Sequence, residues 1–368
     1  MSESMLIGSR PALQLPRPGL IMRRLRARNA PASVKVADGL REVLASYQLE
    51  PLEPIRPLAG AFRSETWTVV TRAGKKVLKR YKSSLKHETI QHEHSILLKL
   101  ERANFPATRL MKDLTGQTIV TLNERHYALI DFLEGYSPFG NYIYFPSRTK
   151  WFNTTAGRAA ARLHETLRGF HPQGVPITGT RSDGKQIHDL DWHVERLAEV
   201  RAETPGSSAA GQPAIRAALA RADWLESCLR EAEGALAEQS PASGLIHGDY
   251  GPYNLMVRWG SPLVVLDFEL ARFEYLLSDI IRFLSSGASE NGVLSPRLAA
   301  QFIEGYQSEN PQIEADLRAL PLVWRYMALR RVITAWWSYL KDPRPSHLDD
   351  ITRRLDRLDW LEKEPVIF

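Results

Sequence analysis

The sequence predicts an α+β protein in two parts, a small antiparallel sheet with one helix followed by a larger, mostly helical part. Three observations lead there. Short segments rich in β-branched and aromatic residues, separated by turn residues, fill residues 66–133. From about residue 150 onward the apolar residues recur at helical spacing. A chain of 368 residues is also too long for one simple core.

Residues 1–30 hold Arg10, Arg17, Arg23, Arg24, Arg26 and Arg28 against Glu3 alone. They carry +5 of the formal net charge of +6, which leaves +1 for the rest. A nucleic-acid partner is therefore not expected, because it would need a basic face on the folded part. Residues 1–35 read as a Pro- and Arg-rich tail, expected to be disordered and solvated. A targeting or anionic-surface segment is the alternative, and Met22 is a second candidate start. Cys228 is the only cysteine, so no internal disulfide can form, which fits a reducing cytoplasm. No apolar run is long enough to span a bilayer, and the apolar core of a secretory signal is missing.

The spacing predicts a helix over 36–49. Strands are expected over 66–71, 75–81, 107–111, 117–122 and 125–133, with turns at "RAGK" (72–75) and "LTGQ" (114–117). A helix over 86–103 interrupts them, with Ile90, Ile96, Leu97 and Leu100 mostly on one face. Further helices are expected over 154–170, 191–203, 214–238, 276–286, 295–308, 313–341 and 346–362, with an exposed turn at 204–213.

The densest chemistry lies in "LIHGDYGPYNLMVRWGSPLVVLDFE" (245–269). Asp249, Asn254 and Asp267 sit beside apolar runs, where a carboxylate is costly unless something pairs with it. Two short strands joined by a turn would bring Asn254 and Asp267 together. They offer an all-oxygen ligand set suited to Mg²⁺, which keeps several waters and takes few carboxylates. Asp249, five residues before Asn254, is placed to accept a proton from a hydroxyl. Phosphoryl transfer needs mainly positioning and charge neutralisation, which such groups supply.

"HGDYGPYN" followed by "LDFE" resembles the aminoglycoside phosphotransferase, choline kinase and homoserine kinase family. The resemblance extends over nearly all of the chain from about residue 50. It departs from protein kinases, which usually carry Arg at the position of Gly248 and Gly at that of Glu269. It implies a protein-kinase-like, two-lobed fold, with the nucleotide-binding N-lobe at 36–134 and a helical C-lobe at 135–368 that holds the catalytic loop and the acceptor pocket. It implies ATP, with GTP as the alternative, and Mg²⁺. By resemblance Asp249 is the catalytic base, and Asn254 and Asp267 are the metal ligands. His247 is expected to pack under the loop, and Asp279 to tie that loop down through backbone N–H groups. An N-cap or surface role is the competing reading of Asp279.

For the nucleotide, strand alternation puts Val77 and Lys79 on one face and Leu78 and Arg80 on the other, and a register slip would exchange them. Lys79 is the candidate phosphate cation, Glu93 its expected partner, and Glu88 the runner-up. "LAGAFRSETW" (58–67) occupies the phosphate-turn position with Gly60 as its only glycine. Asp131, Phe132 and Leu133 are expected to offer backbone groups to the base. His164 and His247 are 83 residues apart, and the intervening helices favour a small-molecule hydroxyl acceptor over a protein. Asp189 and Asp191 are candidates to hold an acceptor's ammonium, and Trp336 and Trp337 to stack on it, although helix capping and core packing compete. Arg330 and Arg331 could neutralise an acidic acceptor, against a plain surface reading. A nucleotide-binding pseudokinase or interaction module is the main rival, and a protein or lipid kinase the lesser one. Oligomeric state is left open.

Overall fold

The computed structural model describes residues 34–58, 64–139, 149–177, 190–290 and 293–363. Residues 1–33 of the expected tail, Gly60 of the phosphate turn and Asp189 lie outside the described residues. The first helix, α1 (Val34–Ala45), begins two residues inside the expected tail. Five strands follow: β1 (Arg56–Pro57), β2 (Glu65–Thr71), β3 (Gly74–Arg80), β4 (Val120–Leu122) and β5 (Arg125–Asp131). They form one antiparallel sheet in the order β1-β2-β3-β5-β4. Helix α2 (His87–Arg102) runs between β3 and β4 in the chain.

Strand alternation sets which side of β3 does what. Leu78 points into a cluster with Leu40, Val43 and Leu44 of α1 and with Trp67 and Leu129. Arg80 lies over the Trp67 ring on that same side. The opposite side faces α2, whose Ile96, Leu97 and Leu100 belong to the main core. Lys79 therefore faces α2, as the alternation predicts, because Leu78 cannot leave the apolar cluster without flipping the strand.

The strand expected over 107–111 is instead a strap between the two parts. Its ends make only single bridges, Ala107 to Val265 and Leu110 to Ile130. Met111 N donates to Leu129 O at 2.8 Å and Asp131 N to Arg109 O at 3.2 Å. Thr108 N donates to Val265 O at 3.3 Å and Val265 N to Pro106 O at 3.0 Å. Sharing its backbone groups between two sheets, the segment cannot continue a ladder in either.

The helical part comprises α3 (Thr149–Leu167), α4 (Leu190–Glu203), α5 (Pro213–Ala220), α6 (Ala222–Gln239), α7 (Leu277–Leu284), α8 (Pro296–Glu309), α9 (Ile313–Leu317), α10 (Leu320–Lys341) and α11 (Pro345–Lys363). The single helix expected over 214–238 is broken at Arg221, which lets α5 pack on α11 while α6 packs on α10. The one expected over 313–341 is likewise two, α9 and α10, interrupted before Pro321 at the N-terminus of the second. Short strands carry the loops of interest: β6 (Ser137–Pro138), β7 (Ser243–Ile246), β8 (Leu255–Val257), β9 (Val264–Val265) and β10 (Arg272–Tyr275). β7 pairs with β10, and β8 lies between β6 and β9. Among the described residues no helix is long and apolar enough to cross a membrane.

Helices α3 and α8 cross at backbone contact. A Cβ on Gly157 would strike the Phe302 carbonyl, and one on Gly305 the Thr154 carbonyl. Gly305→Ala should therefore lower stability by about 1–3 kcal/mol through overpacking, although alanine ordinarily gains about 1 kcal/mol over glycine in a helix. Gly234 of α6 has open space around it, so Gly234→Ala should raise stability by up to about 1 kcal/mol. Urea unfolding midpoints of the two variants should move in opposite directions.

Candidate active site

The loop after β7 is fixed by one buried carboxylate. Asp279, in the first turn of α7, is fully buried. Its Oδ2 accepts from His247 N at 2.7 Å and its Oδ1 from Gly248 N at 2.9 Å. His164 Nε2 of α3 lies 3.1 Å from Oδ2, and His164 Nδ1 is 2.6 Å from the Tyr306 hydroxyl. Burial pushes the Asp279 carboxyl up, but the His164 hydrogen bond and charge, His247 and the backbone bond outweigh it and hold it below its usual range. The surface reading of Asp279 is thus excluded.

Gly248 has φ +78, and a Cβ there would overlap the Leu270 carbonyl oxygen. A residue with a side chain, such as the Arg of protein kinases, cannot take this path. His247 Nδ1 accepts from Asp249 N at 3.2 Å, so Nε2 carries the proton that goes to Leu266 O at 2.8 Å.

Asp249 is more heavily engaged than the sequence suggests. Its Oδ1 accepts from Arg282 Nε at 2.7 Å and from the Tyr253 hydroxyl at 2.8 Å. Its Oδ2 accepts from Asn254 Nδ2 at 3.2 Å. Burial raises the Asp249 carboxyl, but the Arg282 guanidinium and the hydrogen bonds from Arg282 and Tyr253 more than offset this, and the group stays below its ordinary range. It is therefore ionised near neutrality.

The Asn254 amide NH₂ also donates to Asp249 O at 3.0 Å, which turns its carbonyl oxygen away from the loop. Strand β8 pairs with β9 through Leu255 and Val265, and Leu266 N donates to Asn254 O at 2.9 Å. That hairpin sets Asn254 next to Asp267. Asp267 has φ +59, and its side chain is 45% exposed. A left-handed non-glycine residue costs about 1 kcal/mol and often marks a functional constraint.

Lys79 lies across the cleft from this hairpin, its side chain 12% exposed. Its Nζ is 3.0 Å from Glu93 Oε1, 3.0 Å from Glu269 Oε1 and 3.9 Å from Asp267 Oδ1. Burial works against the ammonium, but Glu93, Tyr81, Glu269 and Asp267 outweigh it and hold it charged well above its usual range. Glu93 is pushed up to about 7, burial outweighing Lys79. Glu88, the runner-up partner, is exposed at the start of α2. The Asn254 and Asp267 side chains offer hard oxygen donors, which suit Mg²⁺ held by one or two protein ligands.

Beyond Lys79, the Asp131 and Phe132 amides donate to the carbonyls of Arg109 (3.2 Å) and Lys75 (3.3 Å). Phe132 N is therefore not available to a base, contrary to expectation. Among the described residues nothing donates to the Asp131 carbonyl, and the Leu133 amide donates to nothing. The Asp131 carboxylate pairs with Lys76 at 2.7 Å instead.

Several acceptor candidates do not join this group. Trp336 is 0% exposed and its Nε1 donates to Thr204 Oγ1 at 3.0 Å, so it is core. Trp337 packs on Trp192 and donates to Glu199 Oε2 at 3.1 Å. Asp191 is exposed in the first turn of α4, and no contact among the described residues links it to Asp249. Arg330 is not a surface cation. It is half-buried and pairs with Glu274 at 3.1 Å. The sequence reading assigned no role to Glu269, Tyr253, Arg282 and His164. Glu269 was visible as a departure from glycine, whereas the Arg282–Asp249 pair spans 33 residues and has no local signal.

A sheet lobe joined to a helical lobe, with this loop and lysine facing each other, defines a phosphotransferase architecture. The chain belongs to the phosphotransferase enzyme family, whose model matches residues 54–320, and is a small-molecule kinase of that family. The homoserine kinase of Rhodopseudomonas palustris (strain TIE-1) is 24% identical over 331 residues, covering 89% of this chain and 91% of its own. That of Rhodospirillum rubrum is 24% identical over 311 residues, covering 83% and 87%. Among solved structures, a microcompartment-associated aminopropanol kinase superposes with a TM-score of 0.58 at 18% identity, covering 90% of this chain and 97% of that one. A spectinomycin phosphotransferase solved with ADP and spectinomycin gives 0.59 at 15% identity, covering 89% and 95%.

The helix that carries Glu93 also carries two buried histidines, and these make the fold acid-sensitive. Burial lowers His92 to about 4 and His94 to about 3. His94 is hydrogen-bonded to the Tyr81 hydroxyl (2.9 Å) and Thr118 Oγ1 (2.8 Å). The unfolded chain gains protons below about pH 6.5 that the folded one cannot bind, so each histidine withdraws about 1 kcal/mol per pH unit as pH falls from there. Glu93, raised to about 7, acts in the opposite sense between about pH 7 and 4.5. The diagnostic quantity is thus a difference: between pH 7 and 5, His94→Gln should lose less stability than the parent by about 1 kcal/mol or more, read from urea midpoints.

Proposed function

We propose that the protein transfers the γ-phosphoryl group of ATP to a hydroxyl of a small molecule, with Mg²⁺ held by Asn254 and Asp267. The observation that carries this reading is the convergence of Lys79, Asp249, Asn254 and Asp267. Lys79 Nζ is 3.9 Å from Asp267 Oδ1, and Asn254 Nδ2 is 3.2 Å from Asp249 Oδ2. Residues 36–134 supply the nucleotide side and 135–368 the acceptor side.

Lys79 holds the α- and β-phosphates, and Glu93 and Glu269 hold Lys79. Mg²⁺, when bound, neutralises charge on the phosphate oxygens. The Asp131 carbonyl and the Leu133 amide, two residues apart, form an acceptor–donor pair that matches the amino group and N1 of adenine. Guanine presents the reverse pair, so ATP is favoured over GTP.

A carboxylate oxygen has two acceptor sites. Arg282 and Tyr253 fill both on Asp249 Oδ1, while Asn254 takes one on Oδ2. The remaining site on Oδ2 receives the acceptor's hydroxyl. Held below its usual range, Asp249 is a weak base. Its main work is to aim the hydroxyl, and it takes the proton late, as a loose transition state permits. The acceptor oxygen forms a bond to phosphorus, the bond from phosphorus to the β,γ-bridging oxygen breaks, ADP leaves with that electron pair, and the hydroxyl proton passes to Asp249.

The relatives' names mark out three acceptor classes to screen by mass shift: homoserine-like amino acids, amino alcohols and amino sugars. Asp249→Ala should lower kcat at least ~10³-fold while changing nucleotide affinity by less than about threefold. Turnover retained in that variant removes the base assignment. Asp267→Gly should keep or raise the unfolding midpoint, by up to about 1 kcal/mol from the relieved left-handed backbone, yet abolish both transfer and slow Mg²⁺-dependent ATP hydrolysis. A parent protein that binds ATP but neither hydrolyses nor transfers it would favour the non-catalytic reading.

A further inference from the structure

Helix α2, which carries Glu93, is held from the helical lobe by the turn that follows α3. Gln173 N donates to Ser95 Oγ at 3.1 Å, and Val175 N donates to Glu88 O at 3.1 Å. Gln91 Nε2 reaches Gln173 Oε1 at 3.4 Å, and the Ser95 hydroxyl in turn donates to His92 O at 3.0 Å. Glu88, Gln91, His92 and Ser95 recur at helical spacing, so these contacts fall along one face of α2, and Glu93 projects from another. Gly174 lies between the two backbone donors with φ +84, and a Cβ there would strike the Glu88 carbonyl and the His92 amide. Only glycine lets the turn come this close. The turn is itself moored to the helical lobe. The His171 ring stacks on Phe273 of β10 at 5.5 Å, and Phe273 pairs with Leu245 of β7, two residues before His247. The apolar side of α2 points the same way. Ile90, Ile96, Leu97 and Leu100 share a core with Leu163 and Leu167 of α3 and with Leu245, whereas α1 and the far side of the sheet form a separate cluster.

We propose that residues 171–175 are a brace, and that Gly174 and Ser95 are positioning residues: by fixing α2 against the helical lobe they hold Glu93 where it meets Lys79. This rests on the kinase reading above and deepens it, because Lys79 is the residue assigned to the α- and β-phosphates. Glu93 Oε1 is 3.0 Å from Lys79 Nζ, and a hydrogen bond of that length tolerates little travel of α2 before it is lost. The lysine enters the cleft from the sheet through β3, and its carboxylate partner is set by the brace. The chain alone thus assembles the pair, with no activating partner to swing α2 into place. Loss of the brace lets Glu93 drift, and its first consequence is a weaker hold on the phosphates. A hold made equally in the bound state and the transition state shows in affinity and KM, not in kcat.

The test compares ADP, which has the α- and β-phosphates, with adenosine, which has none, each titrated calorimetrically into the full-length protein with Mg²⁺ present. Gly174→Ala should weaken ADP about tenfold or more and adenosine less than about twofold. Ser95→Ala removes the acceptor of the Gln173 amide and leaves the turn itself intact. It should weaken ADP about threefold or more, and Ser95→Thr, which keeps the hydroxyl, should restore the affinity. In a Glu93→Ala background neither substitution should weaken ADP further, because its effect passes through Glu93. The KM for ATP should rise with the ADP dissociation constant while kcat changes less than about threefold. Ser95 is only half-buried, so Ser95→Ala decides the matter if Gly174→Ala fails to fold. ADP affinity unchanged in Ser95→Ala, ADP and adenosine weakened alike, or the same loss repeated in the Glu93→Ala background overturns the brace. Parent turnover together with brace variants that keep their hold on ADP sinks this inference alone. A parent protein that binds ADP more tightly than adenosine, with the expected losses in the variants, but transfers to no acceptor sinks the kinase reading alone.

Discussion

One buried ammonium sets the geometry of the cleft. Lys79 extends from the central β3 strand and meets Glu93 and Glu269 at 3.0 Å each, with Asp267 at 3.9 Å. Glu93 belongs to the sheet lobe, whereas Glu269 and Asp267 follow the β8–β9 hairpin of the other. Removing one partner of a buried pair such as Lys79 with Glu93 or Glu269 typically costs about 3–5 kcal/mol, so the lysine ties the two lobes. The 106–111 strap adds backbone hydrogen bonds to both sheets on the same seam, and the two lobes are therefore registered at the level of single residues.

On the other side of the seam the loop that carries Asp249 is held by its backbone. Asp279 accepts two loop amides and is itself held by His164. This arrangement requires a loop that can approach the Leu270 carbonyl, and the positive φ of Gly248 permits it. Asp249 is then free to be positioned by its side-chain partners, Arg282, Tyr253 and Asn254. A site built in this way separates loop position from carboxylate orientation. Different acceptor chemistries can be fitted by changing the second without disturbing the first.

That separation bears on the surroundings of Asp249. The guanidinium that orients Asp249 also feels the Asp350 carboxylate of α11. The acceptor candidates read from the sequence were mainly acidic and aromatic, on the pattern of an ammonium-bearing substrate, with Arg330 and Arg331 as the candidates for an acidic one. The folded chain buries Trp336 in the core, leaves Asp191 exposed on α4, and brings Arg282 to the loop instead.

The sequence by itself determined the two-lobed class, the order of the elements, the face of β3 that Lys79 occupies, and the stretch that holds Asp249, Asn254 and Asp267. These are local properties: side-chain period, turn residues, and groups close enough along the chain that one hairpin must bring them together. Only the tertiary structure decided the rest. Whether 107–111 forms a strand depends on two sheets that compete for its amides, and where 214–238 and 313–341 break depends on which neighbours each half packs against. The partners of Asp249 and the second carboxylate of Lys79 are set by residues 33 and about 190 positions apart. Long-range ion pairs leave no periodic trace, because a guanidinium reads the same in a sequence whether it meets water or a carboxylate.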